Sequence, residues 1–356
     1  MLRKIITKKI NSITVAATLV AFSSLVSRFL GIFRDRILAG QFGAGDTLDV
    51  YYAAFRVPDL MFNLLVLGAL SAGFIPILTN LIQDYNCDKG KKDANKNCEA
   101  WELVSNILNI LVAALMGVSL LGVIFAPYLM EFVTPGFSGE KQMLAANITR
   151  IMFLSPIFLG ISSVLGGILQ SFKRFFVYSL APIMYNIGII IGALCFAPFW
   201  GVYGLAWGVV LGAFLHMFIQ LPMAKKLGYT YKPIFRIRDK NVRKIGKMMV
   251  PRTMTLGITQ LNLLVITMIA SGLSEGSLAV FNFANNLQSF PVGIFGISFA
   301  IAAFPTLSAV AFDKEKLVSN FSYTARQILF FIVPATVLLL TLRAQIVRVV
   351  LGAGKF

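Results

Sequence analysis

The sequence predicts an all-α, polytopic membrane protein, and three observations lead to that fold class. The 356 residues are 57% hydrophobic and 13% charged, whereas a soluble domain carries about 25% charged residues. Apolar stretches of about 20 residues, the length that crosses a bilayer as a helix, recur along the chain. The cations cluster at alternate ends of these stretches, which is typical of multi-span proteins.

The apolar stretches number roughly nine, and the residues after position 342 begin a tenth. Several are longer than a bilayer requires, so we expect tilt or extension beyond the membrane. The first stretch lacks a small-residue cleavage site and continues into Arg34, so we expect a retained helix rather than a signal peptide. The stretches are 13–33, 57–82, 104–132, 148–170, 176–196, 202–221, 250–271, 278–312 and 321–342.

The distribution of charge predicts orientation and partners. The net charge of +17 is concentrated at stretch ends, which indicates contact with anionic membrane lipids and not with nucleic acid. Connections at 138–141, 198–201 and 272–276 are nearly free of cations, so we expect a multi-pass protein of the cell (inner) membrane with a cytoplasmic N terminus. The cations lie in the other connections: Arg3, Lys4, Lys8, Lys9, Lys89, Lys91, Lys92, Lys96, Lys173, Arg174 and those of residues 225–252.

A weak internal repeat predicts two lobes. Residues 47–51 (TLDVY) recur as 277–281 (SLAVF), and 76–79 (PILT) recur as 305–308 (PTLS). The copies lie in the second and eighth stretches, as in transporters with two parallel six-helix halves, although chance similarity between apolar helices is the alternative. We predict an N-terminal lobe at 1–224, a basic cytoplasmic linker at 225–249 and an incomplete C-terminal lobe at 250–356. We expect the chain to be a truncated second half or a fragment.

The sequence contains no recognisable catalytic or metal-binding constellation. His216 is the only histidine, so neither a cysteine–histidine zinc site nor a Ser/His/Asp set is supported. We interpret His216 as a helix-interface residue rather than a proton relay. Cys87 and Cys98 fall in a loop that this topology places in the cytoplasm, so we expect no disulfide there. We therefore expect no enzyme and no bound metal.

Charged and amide side chains at membrane depth are the candidate binding residues. Arg28 lies inside the first apolar stretch, where a charge costs about 2.5 kcal/mol or more and therefore usually faces a water-filled cavity or a partner. If the helix bends at Gly31, Arg34 and Arg56 can join Arg28 around a diphosphate, because guanidinium forks match phosphate oxygens. The alternative is ion pairing of the arginines with Asp35, Asp49 and Asp59.

Prolines and glycines mark the predicted bending points. Arg56 stands just before Pro58, where we expect the chain to depart from regular helix. The predicted hinges for alternating access are Gly31, Pro58, Pro291 and Gly293. For the glycines the alternative is close helix packing through small residues, as at Gly188 and Gly192.

Short motifs form an ordered set along almost the whole chain, from Ser12 to Phe356. Residues 27–35 (SRFLGIFRD) and 43–45 (GAG) precede Asp49, and 55–60 (FRVPDL) precede 68–76 (GALSAGFIP). Later motifs are 134–137 (TPGF), 181–182 (AP) with Asn186, 290–293 (FPVG) with Gly296, and 305–308 (PTLS). Together these motifs resemble those of the MurJ/MviN family of lipid II flippases.

The resemblance implies a place in the multidrug/oligosaccharidyl-lipid/polysaccharide exporter superfamily, with two lobes around a V-shaped cavity. It implies outward translocation of the undecaprenyl-diphosphate-linked peptidoglycan precursor, lipid II, by alternating access for cell-wall synthesis. The implied driving force is the membrane potential or an ion gradient, without a cofactor. The family's cationic cavity residues correspond to Arg28 and Arg34, with Asp35 beside them, and Asp49 matches the family acid near the outer gate.

Several positions depart from the family pattern. The family commonly has an arginine pair and a glutamate where this chain has Phe62, Asn63 and Leu67. The last four helices, with the lipid-tail groove, have no counterpart among these residues. In the eighth helix the family has Asp-Arg where this chain has Asn285 and Asn286.

Because these positions are neutral here, we expect the remaining charged and amide residues to divide the substrate-binding roles among them. We expect Arg28 and Arg34 to bind diphosphate, with Asp35 and Asp59 orienting them. Asn285 and Asn286 are expected to contact sugar or peptide, and Arg56 and Asn63 complete the predicted substrate-binding set.

Two other functions stay open at this point. One is a cation-coupled drug or polysaccharide-lipid exporter of the same superfamily, which would favour a carboxylate-lined cavity. The other is a non-transporting membrane scaffold, favoured by the neutral cavity positions and the incomplete second lobe. The sequence does not predict an oligomeric state.

Overall fold

The computed structural model describes residues 13–67, 73–84, 99–310 and 313–356, and the regular structure within these ranges is helical. The all-α, polytopic membrane fold is therefore confirmed. The predicted count of nine to ten spans stays a prediction. Cys87, Cys98, residues 68–72 and the N-terminal cations lie outside the described residues. Among the residues that the structure describes, seven helical stretches are long and apolar enough to cross a membrane: Asp46–Leu67, Glu99–Val133, Gly139–Ser171, Phe175–Trp200, Val202–Lys226, Lys240–Ser271 and Lys314–Thr341.

The helices follow the order of the apolar stretches. The α-helical segments are interrupted by π-helical stretches, among them Asn63–Leu67, Gly192–Phe196 and Val292–Ile297. The α-helices are α1 (Ile13–Phe42), α2 (Asp46–Phe62), α3 (Ile75–Asp84), α4 (Glu99–Val133), α5 (Gly139–Met152), α6 (Ser155–Ser171), α7 (Phe175–Ile191), α8 (Ala197–Trp200), α9 (Val202–Phe218), α10 (Leu221–Lys226), α11 (Lys240–Ser271), α12 (Ser277–Pro291), α13 (Ser298–Ala309), α14 (Lys314–Thr341) and α15 (Arg343–Val350).

The chain divides into two compact units. The first is Met1–Leu30 with Gly45–Leu278, and the second is Gly31–Ala44 with Ala279–Phe356. Helix α1 contributes to both units, and the division within it falls next to the predicted hinge Gly31. The predicted lobe boundaries follow helix count rather than spatial grouping, and they stay a prediction.

Glycines allow α7 and α9 to pack at very close range in the first unit. A Cβ added at Gly188 would collide with Gly212, and one added at Gly192 would collide with Gly208. Membrane helices gain dispersion energy from such close backbone approach, because lipid supplies no hydrophobic driving force between helices. Gly188 and Gly192 therefore allow close helix packing.

The expectation of irregular chain around Arg56 is wrong. Helix α2 begins at Asp46 and continues through Arg56 and Pro58 to Phe62. Pro58 cannot donate to the Ala54 carbonyl, and the Thr149 hydroxyl, which also bonds the Ala145 carbonyl, lies 3.4 Å from that oxygen. A neighbouring helix thus compensates part of the lost bond, which is how membrane helices tolerate proline.

Pro127 in α4 is accommodated in the same way. Its ring leaves the Val123 carbonyl without the usual donor four residues later. The Nε of Arg150 donates to that carbonyl over 3.2 Å, and its guanidinium also donates to Asn147 Oδ1 over 2.8 Å. Helix α5 therefore supplies, from adjacent residues, the groups that contact both freed carbonyls.

Two of the π-helical stretches fall at positions related by the internal repeat. Asn63, which begins one of them, and Val292, which begins another, are 229 positions apart, as are Pro76 and Pro305. Single π-helical turns are rare and occur often at functional sites. The division into two lobes stays a prediction.

Candidate functional site

A cavity of about 640 Å³ lies in the first unit around Arg28. That volume is within the range of about 300–1,000 Å³ found for small-molecule sites. Helices α1, α6, α7 and α9 supply most of the polar wall. The polar lining residues are Ser23, Ser24, Ser27, Arg28, Ser162, Ser163, Gln170, Tyr178, Ser179, His216 and Gln220.

Helix α1 brings Arg28 to this cavity through its spacing. Ser24, Ser27 and Arg28 are three and four positions apart, so they share one face of the helix. The amide of Asn186 on α7 donates to Ser27 Oγ over 3.2 Å and to the Pro182 carbonyl over 3.1 Å, which fixes α1 against α7. Arg28 is half-buried, as expected of a charge that faces a cavity within a membrane helix.

The electrostatic character of the cavity follows from its lining. Among the described lining residues Arg28 carries the permanent positive charge, and none is Asp or Glu. The serines, Tyr178 and the two glutamines offer neutral donors and acceptors. Such a wall is suited to an anion that is attached to a neutral polar group.

A buried network connects α6 and α9 at one side of the cavity. Ser162 Oγ lies 2.7 Å from His216 Nδ1 and 3.0 Å from the His216 carbonyl. Gln220 donates from Nε2 to Ser162 Oγ and, over 3.1 Å, to the His216 carbonyl. The edge of the His216 ring faces Tyr185, with 6.4 Å between ring centroids. His216 thus lies at a helix interface and also lines the cavity.

Sequence reasoning missed most of this wall. Ser162, Ser163 and Gln220 interrupt apolar stretches, and Ser23, Ser24 and Ser27 share the stretch of Arg28. Runs of hydroxyls at membrane depth beside a charged residue are a usable signal, because such groups are expensive to expose to lipid. Serine has little effect on mean hydropathy, so hydropathy alone does not reveal these residues.

Arg34, Asp35 and Asn286 form a second cluster, within the second unit. Arg34 donates from both Nε and a terminal nitrogen to Asp35 Oδ1, at 3.0 and 2.8 Å. Asn286 donates to Asp35 Oδ2 over 2.8 Å, and Asp35 is 3% exposed. Arg36 donates instead to the carbonyls of Val349 and Val350, near the end of α15. Arg34 is therefore ion-paired with Asp35, which is the alternative to diphosphate binding that the sequence left open.

The remaining predicted binding residues do not line the cavity described above. Arg56 donates from Nε to Thr267 Oγ1 on α11 over 2.8 Å. Asn63 donates to the backbone carbonyl of Asp59 over 2.8 Å, so the pair stabilises the start of the π-helical stretch. Asn285 is exposed on α12, where its carbonyl accepts from the Ser289 hydroxyl.

Asp49, the predicted gate residue, joins three connections of the first unit. Its Oδ2 accepts from the backbone N–H of Gly276 over 2.8 Å and lies 3.5 Å from Lys141 Nζ. Lys141 also pairs with Asp46, and the N–H of Gly136 donates to Ser271 Oγ over 3.1 Å. These contacts hold the cation-poor ends of α2, α5 and α11 together. Lys141 is a member that sequence reasoning missed.

Within the described part of the chain, no group of three His, Cys, Asp or Glu residues is arranged to hold a metal ion. Cys195 is exposed as a free thiol.

Comparison with known proteins gives a consistent result. Residues 38–356 match the family described as "Lipid II flippase MurJ". The chain is 30% identical over 345 residues to the lipid II flippase MurJ of Burkholderia cenocepacia, covering 94% of this chain and 64% of that protein. It is 30% identical over 348 residues to the probable lipid II flippase MurJ of Vibrio cholerae, covering 95% and 65%. The chain thus spans somewhat less than two thirds of the length of these relatives.

Solved structures support the fold. A structure described as "Lipid II flippase MurJ, inward closed conformation" aligns with a TM-score of 0.77 at 24% identity, covering 95% of this chain and 68% of that one. An inward-facing multidrug resistance MATE family transporter of the MOP superfamily aligns with a TM-score of 0.66 at 16% identity, covering 93% and 73%. At these identities the likeness shows the fold alone. From the family match and the 30% identical relatives, the chain belongs to the family of lipid II flippases described as MurJ.

Proposed function

We propose that the protein translocates lipid II, the undecaprenyl-diphosphate-linked peptidoglycan precursor, across the cell membrane by alternating access. The observation that carries the proposal is the cavity around Arg28, where a guanidinium and many hydroxyls meet without a lining carboxylate in the described residues. Family membership supports it, as do the names of the relatives. Because the chain spans 64% and 65% of those relatives, the activity of the whole protein is part of the proposal.

The proposed ligand chemistry follows from the wall of the cavity. Arg28 binds the diphosphate, because charge-assisted bonds from a guanidinium to phosphate oxygens are short and strong. Ser162, Ser163 and Gln170 face the cavity and bind neutral sugar or peptide groups. A cation at the diphosphate and neutral donors beyond it match a diphosphate that is attached to sugar hydroxyls and amides.

Arg34, Asp35 and Asn286 are proposed to act as one unit in binding. Asp35 orients Arg34 and Asn286 through opposite carboxylate oxygens. Arg56, Asp59, Asn63 and the exposed Asn285 complete the proposed substrate-binding set. Arg56 reaches a ligand only if it leaves Thr267, which is compatible with a change between two conformations.

The conformational cycle is proposed to use Asp49 as a gate. Opening requires Asp49 to release the Gly276 N–H and Lys141. Gly31, Pro58, Pro291 and Gly293 are the proposed hinges, and Pro291 directly precedes a π-helical stretch. Helices bend readily where proline or a π-helical turn interrupts the regular ladder.

The proposed setting is the cell (inner) membrane, with the N terminus in the cytoplasm. The cation-rich connections contact anionic lipids, and no nucleic acid is involved. The driving force is the membrane potential or an ion gradient, and the protein transports rather than catalyses.

Binding of a diphosphate to the purified chain in nanodiscs tests the central step. We expect pyrophosphate to bind the unmodified chain, and Arg28→Ala to weaken binding by about tenfold to a hundredfold, since a charged hydrogen bond contributes about 1.5–3 kcal/mol. Arg343→Ala is the matched control, because Arg343 is an exposed arginine on α15. Equal affinity for Arg28→Ala and Arg343→Ala would remove Arg28 from the site.

Complementation of flippase-depleted cells with the full-length gene tests the whole activity. We expect rescue by the unmodified gene and loss of rescue by Arg28→Ala and by Arg34→Ala. Rescue that survives both substitutions overturns the diphosphate role. Failure of a well-expressed unmodified protein favours a scaffold.

A cation-coupled exporter is the second candidate from the sequence, and the structure gives it less support. Coupling cations and cationic drugs call for carboxylates in the cavity. Among the described lining residues, Arg28 supplies a positive charge and no residue supplies a carboxylate.

A further inference from the structure

Residues 231–238, here called the strap, connect two membrane-crossing stretches. Val202–Lys226 ends shortly before the strap, and Lys240–Ser271 begins directly after it. A segment held between two such ends must lie near the membrane surface. It lies at a cation-rich end of these helices, which is the cytoplasmic end in the proposed orientation.

Polar side chains of α4 hold the backbone of the strap. Ser105 Oγ accepts from the Lys232 N–H over 3.1 Å, and the Asn109 amide donates to the Lys232 and Ile234 carbonyls over 3.2 and 2.8 Å. Asn106 accepts from the Arg236 N–H over 2.6 Å and donates to its carbonyl over 3.0 Å. Lys232 also pairs with Glu102 over 3.0 Å. The bonds at residues 232, 234 and 236 therefore hold the backbone of the strap against α4.

Apolar side chains of the strap are exposed although its backbone is bonded to α4. Phe235 and Ile237 are 56% and 59% exposed, whereas Lys232 and Ile234 are partly buried. Tyr231 is 57% exposed, and its hydroxyl donates to Asn109 Oδ1 over 2.9 Å, so its side chain is also held on α4. Phe235 and Ile237 are therefore the apolar side chains that the strap leaves uncovered.

Cations surround this apolar face. The Arg236 side chain is 68% exposed, and Arg238, Lys240, Arg243 and Lys244 are exposed beside it. Asp239 is the one acid between positions 225 and 252, and it caps α11 by accepting from the N–H groups of Asn241 and Val242. Aromatic and aliphatic side chains set among cations are what a segment needs to lie in the interface of an anionic bilayer.

We propose that the strap is a rigid interfacial anchor that seats α4 on anionic lipid head groups. Phe235 and Ile237 insert among the lipid chains next to the head groups, and the flanking cations contact lipid phosphates. The proposal deepens the lipid contact proposed above and rests on that membrane setting, but it does not require transport of lipid II. Because the strap is hydrogen-bonded to α4, lipid contact at the strap holds α4 at a fixed depth while other helices move.

Nitroxide side chains along the strap test the proposal. Single cysteines replace Phe235, Arg236 and Ile237 in a chain in which Cys87→Ser, Cys98→Ser and Cys195→Ser remove the native thiols. In nanodiscs with phosphatidylglycerol we expect spin labels at 235 and 237 to collide more with oxygen than with a water-soluble nickel complex. At 236 we expect the reverse. Each position is exposed, so these substitutions leave folding intact.

Phe199→Cys is the matched control, because Phe199 is 83% exposed and lies in a cation-poor connection. Replacing phosphatidylglycerol by phosphatidylcholine should raise nickel access at 235 and leave 199 unchanged. Asn106→Ala with Asn109→Ala should abolish the difference between 235 and 236. Equal nickel access at 235, 236 and 237 in anionic nanodiscs overturns the proposal. The proposal is also overturned if nickel access at 235 and 237 falls only when a soluble protein is added. Neither result bears on diphosphate binding, which is measured separately.

Discussion

The amide of Asn286 donates to Asp35 Oδ2 over 2.8 Å, across 251 positions of sequence. The other oxygen of the same carboxylate accepts twice from Arg34, at 3.0 and 2.8 Å. Asp35 is therefore a buried acceptor with both oxygens in use, and it joins α1 to α12 within the second unit. The donor to this acid from α12 is thus a neutral amide.

Substitution of Asp35 is expected to destabilise the protein. Asp35→Ala leaves the Arg34 guanidinium and the Asn286 amide without their acceptor, and unsatisfied buried groups cost about 1–3 kcal/mol. Asn285→Ala is the matched control, because Asn285 is exposed on the same helix and such changes stay within about 0.5 kcal/mol. Thermal unfolding of the purified chain in detergent measures both. Equal melting temperatures for the two variants would contradict the packing described for Asp35.

Arg150 is expected to contribute less to the stability of the protein when Pro127 is replaced. Arg150→Met removes the donor to the Val123 carbonyl, which Pro127 cannot supply. In a Pro127→Ala background the new backbone N–H can take over that carbonyl. We therefore expect Arg150→Met to cost less there than in the unmodified chain, with a coupling energy of about 0.5–3 kcal/mol. Thermal unfolding of the four proteins in the cycle gives this coupling, and strictly additive effects would show that the proline and the arginine are independent.

Substitutions of the two acids near Lys141 are expected to lower the stability of the protein by different amounts. Asp49 is 3% exposed and accepts from the Gly276 N–H, so Asp49→Ala should cost about 1–3 kcal/mol. The Asp46 side chain is 56% exposed, and an exposed pair contributes about 0–1 kcal/mol, so Asp46→Ala should change stability little. Thermal unfolding at low and high salt measures the difference. An Asp46→Ala loss as large as that of Asp49→Ala would mean that charge, and not burial, stabilises this end.

The sequence predicts the helical fold and the position of Arg28 because both depend on the high energetic cost of polar groups in lipid. It does not predict that α2 begins at Asp46, because Asp46, Asp49 and Arg56 lower the local hydropathy. Those side chains become compatible with a membrane helix only through partners that folding brings from elsewhere. Helix periodicity carries no information about such partners.

The same limit applies to the candidate site. The interaction of Arg56 with Thr267 spans 211 positions, and that of Asn106 with Arg236 spans 130. Spacing within one helix predicts which residues share a face, as it does for Ser24, Ser27 and Arg28. It cannot predict which face of another helix they meet. Helix periodicity also gives no signal for the π-helical stretches Asn63–Leu67, Gly192–Phe196 and Val292–Ile297.

Gly136 is expected to be intolerant of any side chain. A Cβ at Gly136 would overlap the backbone of Ser271 and Gly272, whereas a Cβ at Gly139 would meet nothing within 4 Å. Gly136→Ala must therefore separate the loop after α4 from the end of α11 and weaken the Gly136 bond to Ser271 Oγ. We expect a lower melting temperature for Gly136→Ala and no loss for Gly139→Ala.

The same pair of variants reports on the gate. With Cys87→Ser, Cys98→Ser and Cys195→Ser in place, a cysteine at Ser274, two residues beyond Gly272, can be tested with a membrane-impermeant maleimide. Because separation of these loops exposes the end of α11, labelling should be faster with Gly136→Ala than with Gly139→Ala. Equal labelling rates with a lower melting temperature would mean that the crowding at Gly136 stabilises the fold without holding the gate closed.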